Sequence, residues 1–197
     1  MDLANKLTKV RQKAAEAFVN DINNQLSDLH LVNAEFKIDF ITMDNYSNNG
    51  LDKITFMLRA NAGGNFLPLD KTASLGETSR LNLALKTVFN DISPKETIIF
   101  DEIDIGISGV VATSITKKME MISRKSQVIA ISHLPQVCAG AKKHYFVTKE
   151  VKDDKTYAHI KLLNRDERIV EIAKMMTGDT STSSLVASES LLKSFNN

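Results

Sequence analysis

Between Leu3 and Leu29 the apolar residues fall at Leu3, Leu7, Val10, Ala14, Phe18, Ile22 and Leu26, a spacing of three and four that settles into steps of four. The spacing predicts one long amphipathic helix over residues 1–30. Its first part has the heptad rhythm of the last turns of a coiled coil, and a helix packed on a domain surface fits the same pattern. Strict alternation follows at Ala34 to Phe40 and again at Lys53 to Leu58, with the turn formers Asn45 to Gly50 between, and predicts two antiparallel strands. Asn61 to Asn65 reads as a turn and Pro68 to Ala73 as a linker. The period then returns to that of a helix at Leu81, Ala84, Leu85 and Val88, ending before Ser93-Pro94.

From there strand and helix alternate. Thr97 to Phe100 reads as a buried strand, Val111, Ile115, Met119 and Ile122 as a helix face, and Gln127 to Ile131 and Tyr145 to Thr148 as further strands. Asp153-Asp154-Lys155 reads as a hairpin turn with Tyr157 to Leu163 returning. Helices around Ile169 to Met176 and Leu185 to Leu192 close the pattern, separated by a loop from Gly178 to Ser184. The expected fold class is α/β: a mostly parallel sheet covered by helices, with an antiparallel section.

Composition narrows the function classes. At 197 residues and 43% apolar content the chain is long enough for a well-buried domain, and a net charge of +1 excludes a nucleic-acid binder driven by overall charge. Lys142-Lys143-His144 reads as an ordinary solvated surface that can touch phosphates locally. The single cysteine, Cys138, excludes an internal disulfide framework or a cysteine-rich zinc site. Met1 to Val10 lacks the pattern of a signal peptide and no apolar run approaches a membrane span, so the expectation is a cytoplasmic protein with no membrane partner.

The candidate chemistry sits where apolar runs end. Thr97-Ile98-Ile99-Phe100 delivers two adjacent carboxylates, Asp101 and Glu102, as a strand does at the carboxyl edge of a parallel sheet. Charge in that position serves metal coordination, proton transfer or capping. In phosphoryl transfer the aspartate holds the magnesium shell and the glutamate orients or deprotonates the attacking water; both residues are explained as well by capping a loop. Val128 to Ile131 delivers His133 in the same way, at the same edge if the two strands are neighbours. Asp104, Gly106, Ser108 and Gly109 form a glycine-punctuated loop that lets backbone approach a ligand or partner. Ser74-Leu75-Gly76-Glu77 opens a helix, where it can face an anion or act as a capping box of Ser74 with Glu77. The phosphate cradle Gly-x-x-x-x-Gly-Lys-Ser/Thr occurs nowhere among the eight glycines.

Taken in order, Ser-Leu-Gly-Glu-x-Ser-Arg, Ile-Ile-Phe-Asp-Glu-Ile-Asp-Ile-Gly-Ile-Ser-Gly and Ile-Ser-His-Leu-Pro-Gln-Val resemble the carboxyl-terminal head segment of RecN-type DNA repair ATPases, relatives of the structural-maintenance-of-chromosomes (SMC) proteins. The resemblance covers nearly the whole chain. It implies a helix over 1–30 that is the end of a returning coiled-coil arm, and a carboxyl-terminal lobe of an ABC-type ATPase head over 31–197. ATP and Mg2+ would bind in the complete head, between this lobe, a P-loop-containing amino-terminal lobe and a second head protomer in a homodimer. The resemblance makes Ser74, Gly76 and Glu77 signature residues at the nucleotide, Asp101 the magnesium residue, Glu102 the catalytic base and His133 the switch histidine. Asp104, Gly106 and Ser108 become the loop that signals across the dimer interface. In the family this machinery acts on DNA in recombinational double-strand-break repair, in the cytoplasm at the nucleoid.

Two departures stand out: the missing cradle, without which ATP should bind poorly, and Leu75, where the family has glycine. A branched side chain there crowds the phosphate or forbids a positive φ. Three readings follow. The chain is one lobe of an intact ATPase; or it is a non-catalytic remnant serving as an interaction or DNA-associating module; or, much more weakly supported, it is a metal-dependent nuclease using Asp101, Glu102 and Asp104.

Overall fold

The computed structural model describes residues 2–71, 75–101, 103, 107 and 109–195, with the side chains of 75–78 outside the description. Two compact units divide the chain, Met1–Thr97 and Ile98–Asn197.

In the first unit, helix α1 (Asp2–Asp28) is followed by a long hairpin of β1 (Glu35–Ser47) and β2 (Gly50–Arg59), a short β3 (Leu67–Pro68) and helix α2 (Leu75–Ile92). Phe36 pairs with Leu58, Ile38 with Phe56 and Phe40 with Ile54, so one face of the hairpin carries the apolar row that the alternation predicts. That row meets the second half of α1: Phe18 packs against the rings of Phe36, Phe56 and Phe89, and Ile22, Leu26, Phe36, Leu58, Leu81, Leu83 and Ala84 are buried. The Asn23 amide fixes the register between helix and sheet. Its Oδ1 accepts from the Phe36 amide at 2.8 Å and its Nδ2 donates to the Phe36 carbonyl at 3.1 Å, replacing the strand partner that this edge residue lacks.

Three details differ from the sequence expectation. The strands run on to Ser47 and Gly50, because a four-residue turn with Gly50 at φ +94° is enough to reverse the chain. Within Pro68 to Ala73, Pro68 belongs to β3, bonded to β2, and Leu69–Lys71 form a 3-10 turn, where a linker was expected. Leu75 is the first residue of α2 and takes up helical backbone, a conformation open to leucine.

The second unit contains all but the first residue of β4 (Thr97–Asp101), then α3 (Gly109–Ser123), β5 (Gln127–Ile131), α4 (Pro135–Gly140), β6 (Tyr145–Lys152), β7 (Lys155–Leu162), α5 (Arg165–Thr177) and α6 (Thr182–Phe195). Strands β4 and β5 form one sheet, joined through α3, a crossover of the kind that parallel strands require. Ala112, Ile115, Met119 and Ile122 are the buried stripe of α3, at the predicted spacing. Strands β6 and β7 pair with each other as a separate antiparallel hairpin, turned by Asp153 and Asp154 at φ 51° and 58°, the two left-handed positions of a type I′ turn.

Here too the structure corrects the reading. β4 is buried on one face only: Ile98 and Phe100 are covered, whereas Ile99 is 56% exposed. His144 is not part of a solvated patch; Lys142 and Lys143 are exposed, but His144 is 8% exposed at the entry to β6. α6 begins at Thr182, inside the expected loop, because Asp179 gathers the hydroxyls of Thr177, Ser181 and Ser184 and the Ser181 amide just before the helix.

Candidate active site

Asp101 is the last residue of β4 and His133 follows β5 by two residues. The condition set by the sequence is met, since β4 and β5 are neighbours in one sheet, and the helical crossover brings their carboxyl ends to one edge. Both side chains are exposed there, open to a ligand from solvent. Glu102, Asp104, Gly106, Ser108 and Ser74 lie outside the described residues, and of Gly76 and Glu77 only the helical backbone of α2 is described. Gly76 and Glu77 belong to the first unit; Asp101 and His133 belong to the second.

Local structure fixes the histidine. Ser132 Oγ accepts from the Leu134 amide at 3.0 Å, closing a turn around His133, and Pro135 starts α4, where a missing N–H costs nothing. Six residues of helix are too short to hold themselves, so α4 depends on its neighbours. The key neighbour is Arg168 of α5, whose guanidinium donates to the carbonyls of Cys138, Ala139 and Ala141 at 3.0, 3.3 and 2.7 Å. These are the carbonyls that the end of α4 leaves without partners, and a cation at a helix carboxyl end also suits the helix dipole. The sequence reading did not single out Arg168, which holds the end of α4. The available signal was a charged residue next to the apolar stripe of Ile169, Ile172 and Ala173.

α5 itself is well delimited. Asn164 and Glu167 form a capping box, and Gly178 ends the helix at φ 80° with its amide on the Lys174 carbonyl.

His144 lies near Arg168, and burial first and the Arg168 charge second hold its pKa below the usual 6.5. Its Nδ1 has no hydrogen-bond partner. The folded value lies below the unfolded one, so the unfolded chain takes up the proton first. Stability is therefore fully present above about pH 6.5 and is lost as pH falls from there toward the lower folded value. The expected result is a thermal midpoint that is level above pH 7 and declines between pH 6.5 and 5, with a flatter profile in His144→Gln; a wild-type profile as flat as the variant's overturns the assignment. Asp179 acts in a separate window: hydrogen bonds from Ser184 and Ser181 lower its pKa from 3.8 to about 2, so its contribution is lost only below about pH 4.

As to cofactors, an exposed carboxylate at a strand end suits Mg2+, which keeps most of its shell as water and phosphate oxygen and takes one or two carboxylates from protein. Among the described residues no group of three metal-ligating side chains occurs. No helix of the described residues is long and apolar enough to cross a membrane.

No protein-family model matches the chain. Among curated proteins, it is 39% identical over 191 residues to the DNA repair protein RecN of Rickettsia typhi, covering 96% of this chain and 34% of that protein. It is 38% identical over 176 residues to RecN of Halalkalibacterium halodurans, covering 87% of this chain and 31% of the relative. The chain thus spans about a third of the length of the relatives it matches. Among solved structures, an SMC head domain with a coiled coil and joint from Pyrococcus yayanosii superposes with a TM-score of 0.64 at 17% identity, over 86% of this chain and 31% of that one. A second SMC ATPase structure, from work on ATP-driven dimerization and DNA-stimulated activation, matches 88% of this chain and 99% of its own with a TM-score of 0.56 at 17% identity. At that identity the likeness shows the fold.

Proposed function

We propose, from the premise that this chain belongs to the RecN family and has the SMC-like head fold, that it is the lobe supplying the hydrolytic residues to a DNA repair ATPase. The observation that carries the reading is the delivery of Asp101 and His133 by adjacent strands of one sheet. In this reading Asp101 holds Mg2+, Glu102 orients and deprotonates the attacking water, and His133 bonds the terminal phosphate or that water. Bound Mg2+ supplies charge neutralisation at the phosphates. Ser74, Gly76 and Glu77 meet the nucleotide held by a second head protomer, and Asp104, Gly106 and Ser108 lie at the dimer interface. The remaining phosphate contacts come from a P-loop-containing amino-terminal lobe, and the assembled protein works on DNA in the cytoplasm, at the nucleoid.

Two surfaces support this arrangement. Ile99, Ile129 and Ile131 of the β4–β5 sheet are 56%, 44% and 57% exposed, apolar strand residues of the kind that a further element covers. On the first half of α1, Leu3 and Val10 are 81% and 66% exposed at heptad spacing, as at the end of a coiled-coil arm that has its partner helix elsewhere.

Leu75 favours a second reading, a non-catalytic module. Helical backbone suits leucine, so what remains of the objection is the bulk of the side chain next to a phosphate. The deciding experiment mixes the chain with a separately made P-loop lobe and measures DNA-stimulated ATP hydrolysis. Hydrolysis in the mixture, and in neither part alone, supports the ATPase; an inactive wild type with an active Leu75→Gly variant supports the module; a folded, associated and inactive pair in both cases overturns the hydrolytic reading.

A further inference from the structure

The inward row of the β1–β2 hairpin does not stay apolar to its end. Phe36, Ile38 and Phe40 pair with Leu58, Phe56 and Ile54, and the next pair on the same face is Thr42 with Asp52. A residue there points to α1, and the Asp52 side chain is only 3% exposed. A carboxylate so enclosed requires donors. It has them on the first half of α1: Thr8 Oγ1 lies 2.8 and 2.9 Å from the two carboxylate oxygens, and Arg11 Nη1 lies 3.3 Å from one of them. Arg11 also donates to the Asn49 carbonyl in the hairpin turn at 2.7 Å. Gly50 lets the turn come close, since a Cβ there would sit 3.3 Å from Leu7 Cδ2 and 3.6 Å from Arg11 Nη1.

These contacts matter because, among the described residues, the buried side chains and ring contacts of α1 belong to its second half. The aromatic cluster and the buried residues of α1 begin at Phe18. A dozen helical residues are marginal on their own in water. We propose that Asp52 is a latch that closes the tip of the hairpin onto Thr8 and Arg11, and so sets the direction in which the first half of α1 leaves the unit. β2 carries the latch near its start and bonds β3 near its end, through Leu58 and Leu67, and the chain then passes through Leu69–Lys71 into α2. One strand therefore joins the latch to the segment that leads into the helix opening at Leu75. The latch does not rest on the function proposed above.

The test is amide hydrogen exchange on the full chain, without nucleotide or any partner. In Asp52→Ala, exchange at residues 6–13 should rise roughly ten- to a hundredfold, the loss expected for charge-assisted hydrogen bonds, with residues 18–28 and α2 unchanged. Thr8→Val combined with Arg11→Gln, which leaves Asp52 in place, should give the same local pattern, and Lys53→Ala on the opposite face should not. Unchanged exchange at residues 6–13 overturns the latch, as does a uniform rise across the unit in both variants, which makes Asp52 a general fold residue. If Asp52→Ala fails to fold, the double variant decides alone. Because no ATP is involved, failure of the ATPase reading leaves this result standing.

Discussion

Glu102→Gln is expected to lower ATP hydrolysis by the reassembled head at least a hundredfold while leaving thermal unfolding of the chain unchanged. The substitution keeps size and hydrogen-bonding capacity but removes the ability to accept a proton, and a positioned general base contributes on the order of a hundred- to ten-thousandfold. Glu102 follows in the sequence directly after Asp101, which ends β4 at the edge shared with His133, and the buried Ile98 and Phe100 that anchor the strand are untouched by the change. On the function proposed above ATP binding should survive, since that reading leaves Asp101 and the contacts of a P-loop lobe in place, so the loss should appear in single-turnover rate and not in nucleotide affinity. Unchanged single-turnover hydrolysis ends the catalytic-base assignment. Loss of binding in parallel with rate assigns Glu102 to the ion or the nucleotide instead.

That edge was legible in the sequence because the apolar run Thr97 to Phe100 reads as a strand between turn signals, and carboxylates directly after it need a reason to be there. The hairpins and long helices were legible for a related reason: period 2 at Ala34 to Phe40 and period 3.6 at Leu81 to Val88 are set by the local chain alone. What the sequence did not reveal depends on contacts between elements. α4 has six residues and no periodicity, and it exists through Arg168, whose partners are backbone carbonyls that no residue pattern marks. The hairpin of β6 with β7 was legible from its turn, but that among the described residues these two strands form a sheet of their own depended on which strand finds which neighbour, a choice that a βαβ-like rhythm leaves open. Full burial of Ile99 failed as an expectation because an apolar run marks a strand without saying how many of its faces are covered, and Ile99 is 56% exposed beside the buried Ile98 and Phe100. Asp52 was not singled out in the sequence, because only the register of the hairpin turns it inward.

Gly140→Ala is expected to destabilise the chain by about 1–3 kcal/mol, the usual cost of overpacking a filled core, which for a chain of this size lowers the thermal midpoint by roughly 2–12 °C. Gly140 ends α4, and a Cβ there would lie 2.2 Å from Thr116 Cγ2 on α3, with ring atoms of Phe195 on α6 at 3.5 and 3.7 Å. Thr116 cannot swing away freely: it is 4% exposed, and its Oγ1 is committed to the Ala112 carbonyl at 2.8 Å. Lifting α4 instead would strain the three carbonyl bonds to Arg168 and the buried contact of Ala139 with Ile172 and Leu192. Thr116→Ser removes only the obstructing methyl and keeps the hydroxyl, so it should cost a little alone yet restore much of the midpoint in the Gly140→Ala background. This non-additivity is the diagnostic, because two unrelated destabilisations would simply sum. A midpoint that does not move in Gly140→Ala, or a double variant that falls by the sum of the singles, removes the clash as the cause. The same pair of variants reports on the site: α4 begins two residues after His133, so a shifted α4 should lower hydrolysis in the reassembled head well below the melting range, and Thr116→Ser should recover the rate together with the midpoint.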